Sequence, residues 1–299
     1  MKEVIKLDTV DQYNRLFGLE TLHPLVSIVN LSEAPRFPTH FTMNYGVYAL
    51  FLKNVKCGDI RYGRQTYDYQ EGTVTSFAPG QVVEVEMQQG VKPNAHGLLF
   101  HPDLIKGTSL GQDIKHYSFF SYTSAEALHL SEEEKGIFID CLEKIKMELQ
   151  RPIDKHSKRL ISRNIELLLD YCARFNERQF ITRCEANKTI LHKTDLLLSK
   201  YILSGKLADG VLPTEEYCAD AFHLSPRYFS DLLKFETGKS IHEYFQLMRL
   251  NIAKRMLLDK DNTVHMTAKK LGYANVRYFT LLFKKITGIT PAKYKYTQN

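Results

Sequence analysis

Two segments of the sequence repeat the same cationic and polar side chains at a spacing of 50 residues. RYFSDLLKFETG spans residues 227–238, and RYFTLLFKKITG spans residues 277–288. The arginines that open them, Arg227 and Arg277, can each donate two parallel hydrogen bonds to paired acceptors such as O6 and N7 of guanine. The chemistry that these residue types offer is therefore recognition of a polar partner through hydrogen bonds.

The positive charge of the chain lies in the same part of the sequence. The 299 residues carry a formal net charge of +6 at pH 7. Residues 183–299 hold 19 Lys and Arg against 11 Asp and Glu, whereas residues 1–182 hold 21 against 23. A basic C-terminal third joined to a nearly neutral remainder indicates a polyanion-binding module with a separate partner domain.

The sequence contains no motif for catalysis or for metal binding. It has neither the GxSxG pattern of a serine nucleophile nor a glycine-rich phosphate-binding loop. A histidine-based metal site commonly needs an HxH pair, whereas His40, His96 and His101 stand alone. We therefore predict no enzymatic activity, no catalytic residues, no metal and no cofactor.

The cysteines do not indicate a disulfide framework or a zinc site, because their number is odd and no CxxC spacing occurs. We predict reduced and mostly buried thiols. The cysteines are Cys57, Cys141, Cys172, Cys184 and Cys218. No apolar run reaches the roughly 18 residues of a membrane span, and the first residues lack the apolar stretch of a secretion signal, so we expect a cytoplasmic protein with no membrane partner.

Each repeated segment is predicted to be the second helix of a helix–turn–helix unit. In the first copy Thr214 can cap the first helix, Ser225 can cap the second, and Pro226 fits the first turn of that helix. Gly238 suits the end of the helix, because it tolerates a positive φ. The predicted buried stripe of this second helix is Tyr228, Phe229, Leu232 and Leu233.

The second copy has the same pattern with one extra residue in its turn. Ala219 matches Ala268 at an offset of 49 residues, whereas the second helices match at an offset of 50. Thr263 can cap the first helix, and Gly288 suits the end of the second. The predicted turn is Leu271, Gly272 and Tyr273, and the predicted buried stripe is Tyr278, Phe279, Leu282 and Phe283.

The stretch between the copies is predicted to be a single linker helix. Its apolar residues follow helical spacing from 241 to about 258, which corresponds to a length of roughly 27 Å at about 1.5 Å per residue. One turn of DNA is about 34 Å, so a connector of this length can place two helices in successive major grooves. The pattern alone also allows a helical bundle that binds no nucleic acid.

Two long segments carry ordered motifs over roughly the last 100 residues. They are LSPRYFSDLLKFETGKSIHEYFQLMRLNIAKRML and TVHMTAKKLGYANVRYFTLLFKKITGITPAKY. The stretch 214–294 resembles the AraC/XylS family of transcription regulators, and the AxxLG[FY], YF, FKK, TG and TPxxY elements appear in family order. His223 departs from the pattern, because the family usually has glycine in that turn. The resemblance implies that residues 183–299 bind double-stranded DNA, with RNA polymerase as a further partner.

In this family the exposed face of each second helix contacts bases. This implies base contacts by Arg227, Ser230, Asp231, Val276, Arg277, Thr280 and Leu281. Asp231 can accept a hydrogen bond from a cytosine amino group, whereas Val276 and Leu281 offer only apolar contact, for example to a thymine methyl. Lysines and the helix starts are expected to contact phosphates and to fix the register. These phosphate contacts are Ser225, Lys234, Asn275, Lys284 and Lys285.

Residues 1–130 are predicted to be β-rich, since β-branched and aromatic runs alternate with Gly and Pro. The predicted strands include LVSIVN (25–30), VYALFL (47–52), RQTYDYQ (64–70) and QVVEVEM (81–87). Such short strands are typical of a small barrel or sandwich. EGTVTSFAPGQ (71–81) resembles the strand and turn of a cupin barrel, which in this family often senses a small molecule and helps to dimerise.

Residues 131–182 are predicted to be a helical hairpin that serves as a dimerisation element or a linker. Ser131 and the three glutamates after it suit a helix N-terminus, and Pro152 is expected in the first turn of the second helix. The apolar faces of the two helices can pack against the β-rich domain, form a dimer seam, or do both.

The predicted fold class is α+β with two domains. A β-rich, cupin-like barrel with a helical hairpin precedes an all-α domain of two helix–turn–helix units joined by a linker helix. The predicted function is a sequence-specific, dimeric DNA-binding regulator, an activator rather than a repressor, modulated by a small molecule in the N-terminal domain. The alternatives are a ligand-free dimerisation or protein-interaction module and, more remotely, a cupin-type metal enzyme. The aromatic residues that line a ligand cavity or form the core are Tyr45, Tyr48, Phe51, Tyr62, Tyr67, Tyr69 and Phe77.

Overall fold

The chain divides into two compact units, Met1–Thr182 and Arg183–Asn299. The computed structural model describes residues 4–38, 40–54, 58–62, 65–66, 72–87, 93–123 and 126–298. The described part of the first unit contains β-sheets and helices, and that of the second unit contains helices. Among the described helices, none combines the length and the apolarity needed to cross a membrane.

The described strands of the first unit form two five-stranded sheets. They are β1 (Val4–Leu7), β2 (Val26–Asn30), β3 (His40–Tyr45), β4 (Tyr48–Lys53), β5 (Gly58–Tyr62), β6 (Gln65–Thr66), β7 (Thr73–Phe77), β8 (Val82–Met87), β9 (Ala95–Phe100) and β10 (Leu128–His129). One sheet has the order β1-β3-β8-β5-β6, and the other has the order β10-β7-β4-β9-β2. β1 pairs with β3 in parallel, and the other described pairs are antiparallel.

Three of the predicted strands are confirmed. The runs at 25–30, 47–52 and 81–87 correspond to β2, β4 and β8. The run predicted at 64–70 falls largely outside the described residues, which include only Gln65–Thr66 from it.

Aromatic residues of both sheets meet in one apolar core. Tyr45 stacks on Phe77 with ring centroids 5.0 Å apart, and Phe51 lies 6.3 Å from Phe77. Tyr13 and Phe17, from the helix α1 (Val10–Phe17), complete this cluster. Tyr45, Phe51 and Phe77 are buried members of the core, so for these three the interpretation as core is the one that fits. The side chains of Tyr62, Tyr67 and Tyr69 lie outside the described residues.

The remaining helices of the first unit follow the sheets. They are α2 (Pro102–Ile105), α3 (Ser109–Asp113), α4 (Glu132–Leu149) and α5 (Ser157–Thr182). Ser131 caps α4 in a reciprocal capping box with Glu134, as the sequence indicates. Pro152 is not in the first turn of α5, because that helix begins at Ser157. Asp154 organises this start, since its Oδ1 accepts hydrogen bonds from the backbone N of His156 and of Ser157.

The hairpin of α4 and α5 packs against the second sheet. α4 contacts β2 and β9, and α5 contacts β10. Arg178 of α5 donates to Glu134 of α4 and to the backbone oxygen of His129 in β10, which joins the three elements. Packing against the β-rich part, one of the two arrangements that the sequence allowed, is therefore confirmed.

Seven helices form the framework of the described part of the second unit. They are α6 (Cys184–Leu203), α7 (Glu215–Asp220), α8 (Pro226–Thr237), α9 (Ile241–Leu258), α10 (Val264–Lys270), α11 (Val276–Thr287) and α12 (Pro291–Gln298). A single apolar core runs through these helices and includes Phe229 of α8, Phe245 of α9 and Phe279 of α11. Because both repeats share this core with α9, their second helices are held at a fixed relative position.

Candidate nucleic-acid interface

α7 and α8 form the first helix–turn–helix unit. Thr214 Oγ1 accepts a hydrogen bond from the backbone N of Tyr217 at 3.1 Å, and Ser225 Oγ accepts one from the backbone N of Tyr228 at 3.2 Å. Gly238 ends α8 in the left-handed conformation. The predicted stripe of Tyr228, Phe229, Leu232 and Leu233 is buried.

α10 and α11 form the second unit with equivalent caps. Thr263 Oγ1 accepts from the backbone N of Met266 at 3.1 Å, and Asn275 Oδ1 accepts from the backbone N of Tyr278 at 2.6 Å. Gly288 ends α11 in the left-handed conformation, as Gly238 ends α8. The N-caps Ser225 and Asn275 are 50 residues apart, so the offset found in the sequence is preserved in the structure.

The stripe predicted for α11 is only half-buried at Leu282 and is wrong at Tyr278. Phe279 and Phe283 are fully buried, but the side chain of Tyr278 is 50% exposed, whereas its counterpart Tyr228 is 4% exposed. The difference follows from the longer second turn, which brings Tyr273 into the core with its ring 4.9 Å from that of Phe279. Tyr278 then lies outside Tyr273, at a ring distance of 6.3 Å, and faces solvent.

Each unit turns through one residue in the left-handed region. His223 has a φ of 57°, and Gly272, 49 residues later, has a φ of 66°. A Cβ at Gly272 would lie 2.2 Å from the backbone oxygen of Leu207, so the second turn requires glycine on two grounds. The first turn carries a side chain in a conformation that is costly for any residue other than glycine.

The linker helix α9 is fixed at its beginning and along its length. Ser240 caps it in a capping box with Glu243, and Arg249 is buried in its middle. The guanidinium of Arg249 donates to the backbone oxygen of Leu271 and lies 3.9 Å from the ring centroid of Tyr273. Burial lowers the pKa of Arg249 and raises that of Tyr273 to about 12, so the tyrosine is neutral near pH 7.

The predicted base-contacting residues of α8 lie at the surface but have acidic partners. Arg227 Nε lies 3.7 Å from Asp231 Oδ2, one helical turn away. Ser230 Oγ donates a hydrogen bond to Glu215 Oε1 of α7 at 3.0 Å. The surface of α8 is therefore a mixed one, in which an arginine and a hydroxyl are both held by carboxylates.

The predicted base-contacting residues of α11 have a different chemical setting. Arg277 is exposed, Leu281 is 60% exposed, and Val276 and Thr280 are half-buried. The whole unit from 263 to 288 contains no Asp or Glu. The four predicted base-contacting residues of α11 thus present one cation among apolar and hydroxyl groups.

Four of the five residues predicted to contact phosphates lie at the surface. Lys234, Asn275, Lys284 and Lys285 are exposed. Ser225 is not available for the same contact, because it is 4% exposed and its hydroxyl already caps α8. The capping role predicted for Ser225 is therefore confirmed, whereas its burial disfavours a phosphate contact through its side chain.

The structure adds surface residues that the sequence reasoning did not single out. Tyr278 shares the exposed face of α11, and Lys269 and Lys270 form the last turn of α10. Lys193 and Lys200 of α6 line a groove with His223 in the first turn. The repeat gave no signal for Lys269, because its counterpart 49 residues earlier is Asp220, and only the fold places the α6 lysines beside the turn.

The comparisons with known proteins match this part of the chain. Residues 218–296 match the family described as a helix-turn-helix domain. The C-terminal unit contains an AraC-type helix-turn-helix domain. The helix-turn-helix type regulator YobQ of Bacillus subtilis (strain 168), itself uncharacterized, is 39% identical to this chain over 79 residues, which cover 26% of the chain and 33% of YobQ.

Two further proteins resemble the same AraC-type domain. The uncharacterized transcriptional regulatory protein YesN of B. subtilis (strain 168) is 33% identical over 106 residues, which cover 34% of this chain and 29% of YesN. The C-terminal domain of AraT, a response regulator from Geobacillus stearothermophilus, is 29% identical, with a TM-score of 0.31, and the match covers 36% of this chain and 84% of that one. The chain thus spans about a third of the length of the curated relatives YobQ and YesN.

Proposed function

We propose that the protein is a transcription regulator that binds specific double-stranded DNA sequences through α8 and α11. The observation that carries this proposal is the pair of capped helix–turn–helix units, each with an exposed arginine at the same position of its second helix. The similarity of this domain to YobQ and YesN, both named as regulators, supports it further.

The proposed contacts divide by chemistry. Arg227 and Arg277 are positioned to read guanine, with Ser230, Asp231, Val276, Thr280 and Leu281 around them. Lys234, Lys284, Lys285 and Asn275 contact phosphates and fix the register, without reading sequence. Tyr278 joins this surface, because an exposed aromatic ring next to an arginine can contact sugar or base edges.

The proposal is tested by selecting bound duplexes from a random DNA pool and measuring the affinity of single variants for the selected site. Arg277→Ala is expected to relax the preference at one base position, with a loss of about 1–3 kcal/mol for the selected base. Lys284→Ala is expected to weaken binding to all sequences alike. It is also expected to reduce the salt slope, the slope of the logarithm of affinity against the logarithm of salt concentration, by about 1. A pool that yields no enriched sequence would refute sequence-specific binding.

The matched control is Lys155→Ala, which removes an exposed lysine of the N-terminal compact unit, residues 1–182. It is expected to bind the selected duplex as the unchanged protein does. A loss as large as that of Lys284→Ala would show that the measured effect reflects net charge and not the interface.

We further propose a cupin-like fold for the two sheets of the first unit, a cytoplasmic location, and activation of transcription with RNA polymerase as a partner. The two sheets that share one core support the fold.

Control by a small molecule has less support, since the sheet interior is filled by Tyr45, Phe51 and Phe77. A cavity between β7 and α5, next to Thr123 and Asn176, has a volume of about 20 Å³, which accommodates about one water molecule.

The ligand-free alternative therefore agrees better with the described residues, and we propose α5 as the dimer seam. Leu160 and Leu167, seven residues apart on one face of α5, are 42% and 40% exposed. Leu160→Lys with Leu167→Lys is expected to convert a dimer into a monomer in analytical ultracentrifugation. A monomer before substitution, or a dimer after it, would exclude this seam.

A further inference from the structure

The two helix–turn–helix units differ in the sign of their charge. Residues 214–238 contain five acidic residues against two basic ones, whereas residues 263–288 contain five basic residues and no acidic one. The basic excess of the C-terminal unit is therefore not shared equally by its two repeats. This asymmetry matters because phosphate contacts supply the sequence-independent part of DNA affinity.

The asymmetry holds position by position in the equivalent helices. Each acidic residue on the first unit stands where the second unit has an apolar or basic one. The pairs are Glu215 and Val264, Glu216 and His265, Asp220 and Lys269, Asp231 and Leu281, and Glu236 and Ile286. Lys234 and Lys284 are a pair of the same residue type, and both are exposed.

Two of these carboxylates lie beside the proposed DNA-binding side chains of α8, one on α8 itself (Asp231) and one on α7 (Glu215). Glu215 Oε1 accepts the hydrogen bond of Ser230 Oγ, and Asp231 lies beside the guanidinium of Arg227. The positive charge of Arg227 is partly offset by Asp231, and both carboxylates repel phosphates. The equivalent face of α11 has Arg277 with Leu281 and no carboxylate within its own unit.

The lysines of α6 do not remove the difference. Lys193 and Lys200 belong to α6 and lie beside the turn at His223. They offset part of the acidic charge of the first helix–turn–helix unit from the side of the turn, while the half-buried Glu215 of α7 and Asp231 of α8 stay next to Ser230 and Arg227. The second unit carries its own cations on both of its helices, at Lys269 and Lys284 among others.

We propose that the two units divide the task, with the α10–α11 unit supplying most of the phosphate affinity and the α7–α8 unit supplying mainly discrimination. This proposal rests on the DNA-binding function proposed above. The partner is a duplex with two unequal half-sites. The half-site under α11 is held mainly by phosphate contacts, beside the base contact of Arg277. The half-site under α8 is selected by the hydrogen bonds of Arg227 and Asp231 and by repulsion of poorly placed phosphates.

The test compares Lys234→Gln with Lys284→Gln in the full chain. Binding to the selected duplex is measured by fluorescence anisotropy between about 50 and 200 mM salt, the range over which each phosphate contact costs roughly threefold in affinity. Lys284→Gln is expected to reduce the salt slope by about 1, and Lys234→Gln by less than half of that. Equal reductions by the two variants would overturn the proposal.

A second pair of substitutions acts in the opposite direction. Glu215→Gln with Asp231→Asn is expected to raise the affinity for unselected DNA by about tenfold, because two negative charges that repel phosphates, one on α7 and one on α8, are removed. The same variant is expected to lose preference at the half-site under α8. An unchanged or lower affinity for unselected DNA would contradict the proposed repulsion.

The outcomes separate the two proposals. If the unchanged protein binds no duplex at any salt concentration, the DNA-binding function and the division of tasks both fail. If it binds and Lys234→Gln weakens binding as much as Lys284→Gln, the function stands and only the division of tasks fails. Thermal unfolding of all variants shows that each remains folded at the temperature of the measurement.

Discussion

His223 shows how one residue can depart from a repeated pattern without changing the fold. Its φ of 57° matches the 66° of Gly272, so both turns use the same backbone geometry. The first turn tolerates a side chain because His223 is exposed, whereas a Cβ at Gly272 would meet the backbone of Leu207. The sequence indicated the departure from glycine but could not show that the left-handed conformation is retained.

His223→Gly is expected to stabilise the compact unit of residues 183–299 by about 0.5–1 kcal/mol. The reason is that the relief of the left-handed conformation exceeds the added backbone entropy of glycine. Urea unfolding checks this value. Gly272→Ala is the counterpart at the equivalent position and is expected to destabilise the unit by about 2–4 kcal/mol. A destabilised His223→Gly would mean that contacts of the histidine side chain outweigh the backbone strain.

The cysteines also differ in their reactivity at the level of single residues. Burial raises the pKa of Cys218 to about 11, and it raises the pKa of Cys141 and of Cys172, so these thiols remain protonated near pH 7. We expect a thiol reagent at pH 8 to leave all three unmodified in the native protein while Cys184, which is half-buried, reacts. Mass spectrometry of the labelled peptides checks this. Modification of Cys172 before unfolding would show that α5 opens.

At the scale of elements, the sequence predicted those features that depend on local chemistry. Caps such as Ser131 and Thr263 and the end of α8 at Gly238 each use a residue type that suits only a few backbone positions. The exposure of Tyr278 could not be predicted in this way. It depends on the packing of Tyr273, which only the tertiary structure determines.

The contact of Arg249 with the second turn belongs to the same scale, and it joins two elements. Arg249→Ala is expected to destabilise the compact unit of residues 183–299 by about 2–4 kcal/mol. The backbone oxygen of Leu271 loses its hydrogen-bond donor, and the ring of Tyr273 loses its cation. Arg255→Ala, an exposed arginine of the same helix, is expected to change stability by less than about 0.5 kcal/mol. Urea unfolding of both variants is the measurement, and equal effects would show that Arg249 has no structural role.

At the scale of the whole molecule, the two compact units, residues 1–182 and 183–299, have separate apolar cores. The core of the first unit includes Phe51 and Phe77, and that of the second includes Phe229 and Phe279. The charge difference between residues 1–182 and 183–299 indicated this organisation, because a polyanion-binding module and its partner domain need different surfaces. The sequence also shows the charge difference between the two repeats. Its effect on DNA binding depends on which carboxylates the fold places beside Arg227 and Ser230 of α8.

A fragment of residues 183–299 is expected to unfold cooperatively and to bind the selected duplex, since its core and its proposed contacts are contained within it. Circular dichroism on heating and anisotropy with labelled DNA check both expectations. The fragment of residues 1–182 serves as the control and is expected to fold without binding DNA. A fragment 183–299 without cooperative unfolding would show that its stability depends on the rest of the chain.

The outward position of Tyr278 has a practical consequence, because the chain contains 17 tyrosines and no tryptophan. Tyr278→Trp would place the sole indole of the molecule on the surface of α11, where its emission is that of a solvated ring. Contact with a duplex would remove water from this ring and shift or quench its fluorescence. The fluorescence would then report DNA binding by the second helix–turn–helix unit, independently of the first helix–turn–helix unit.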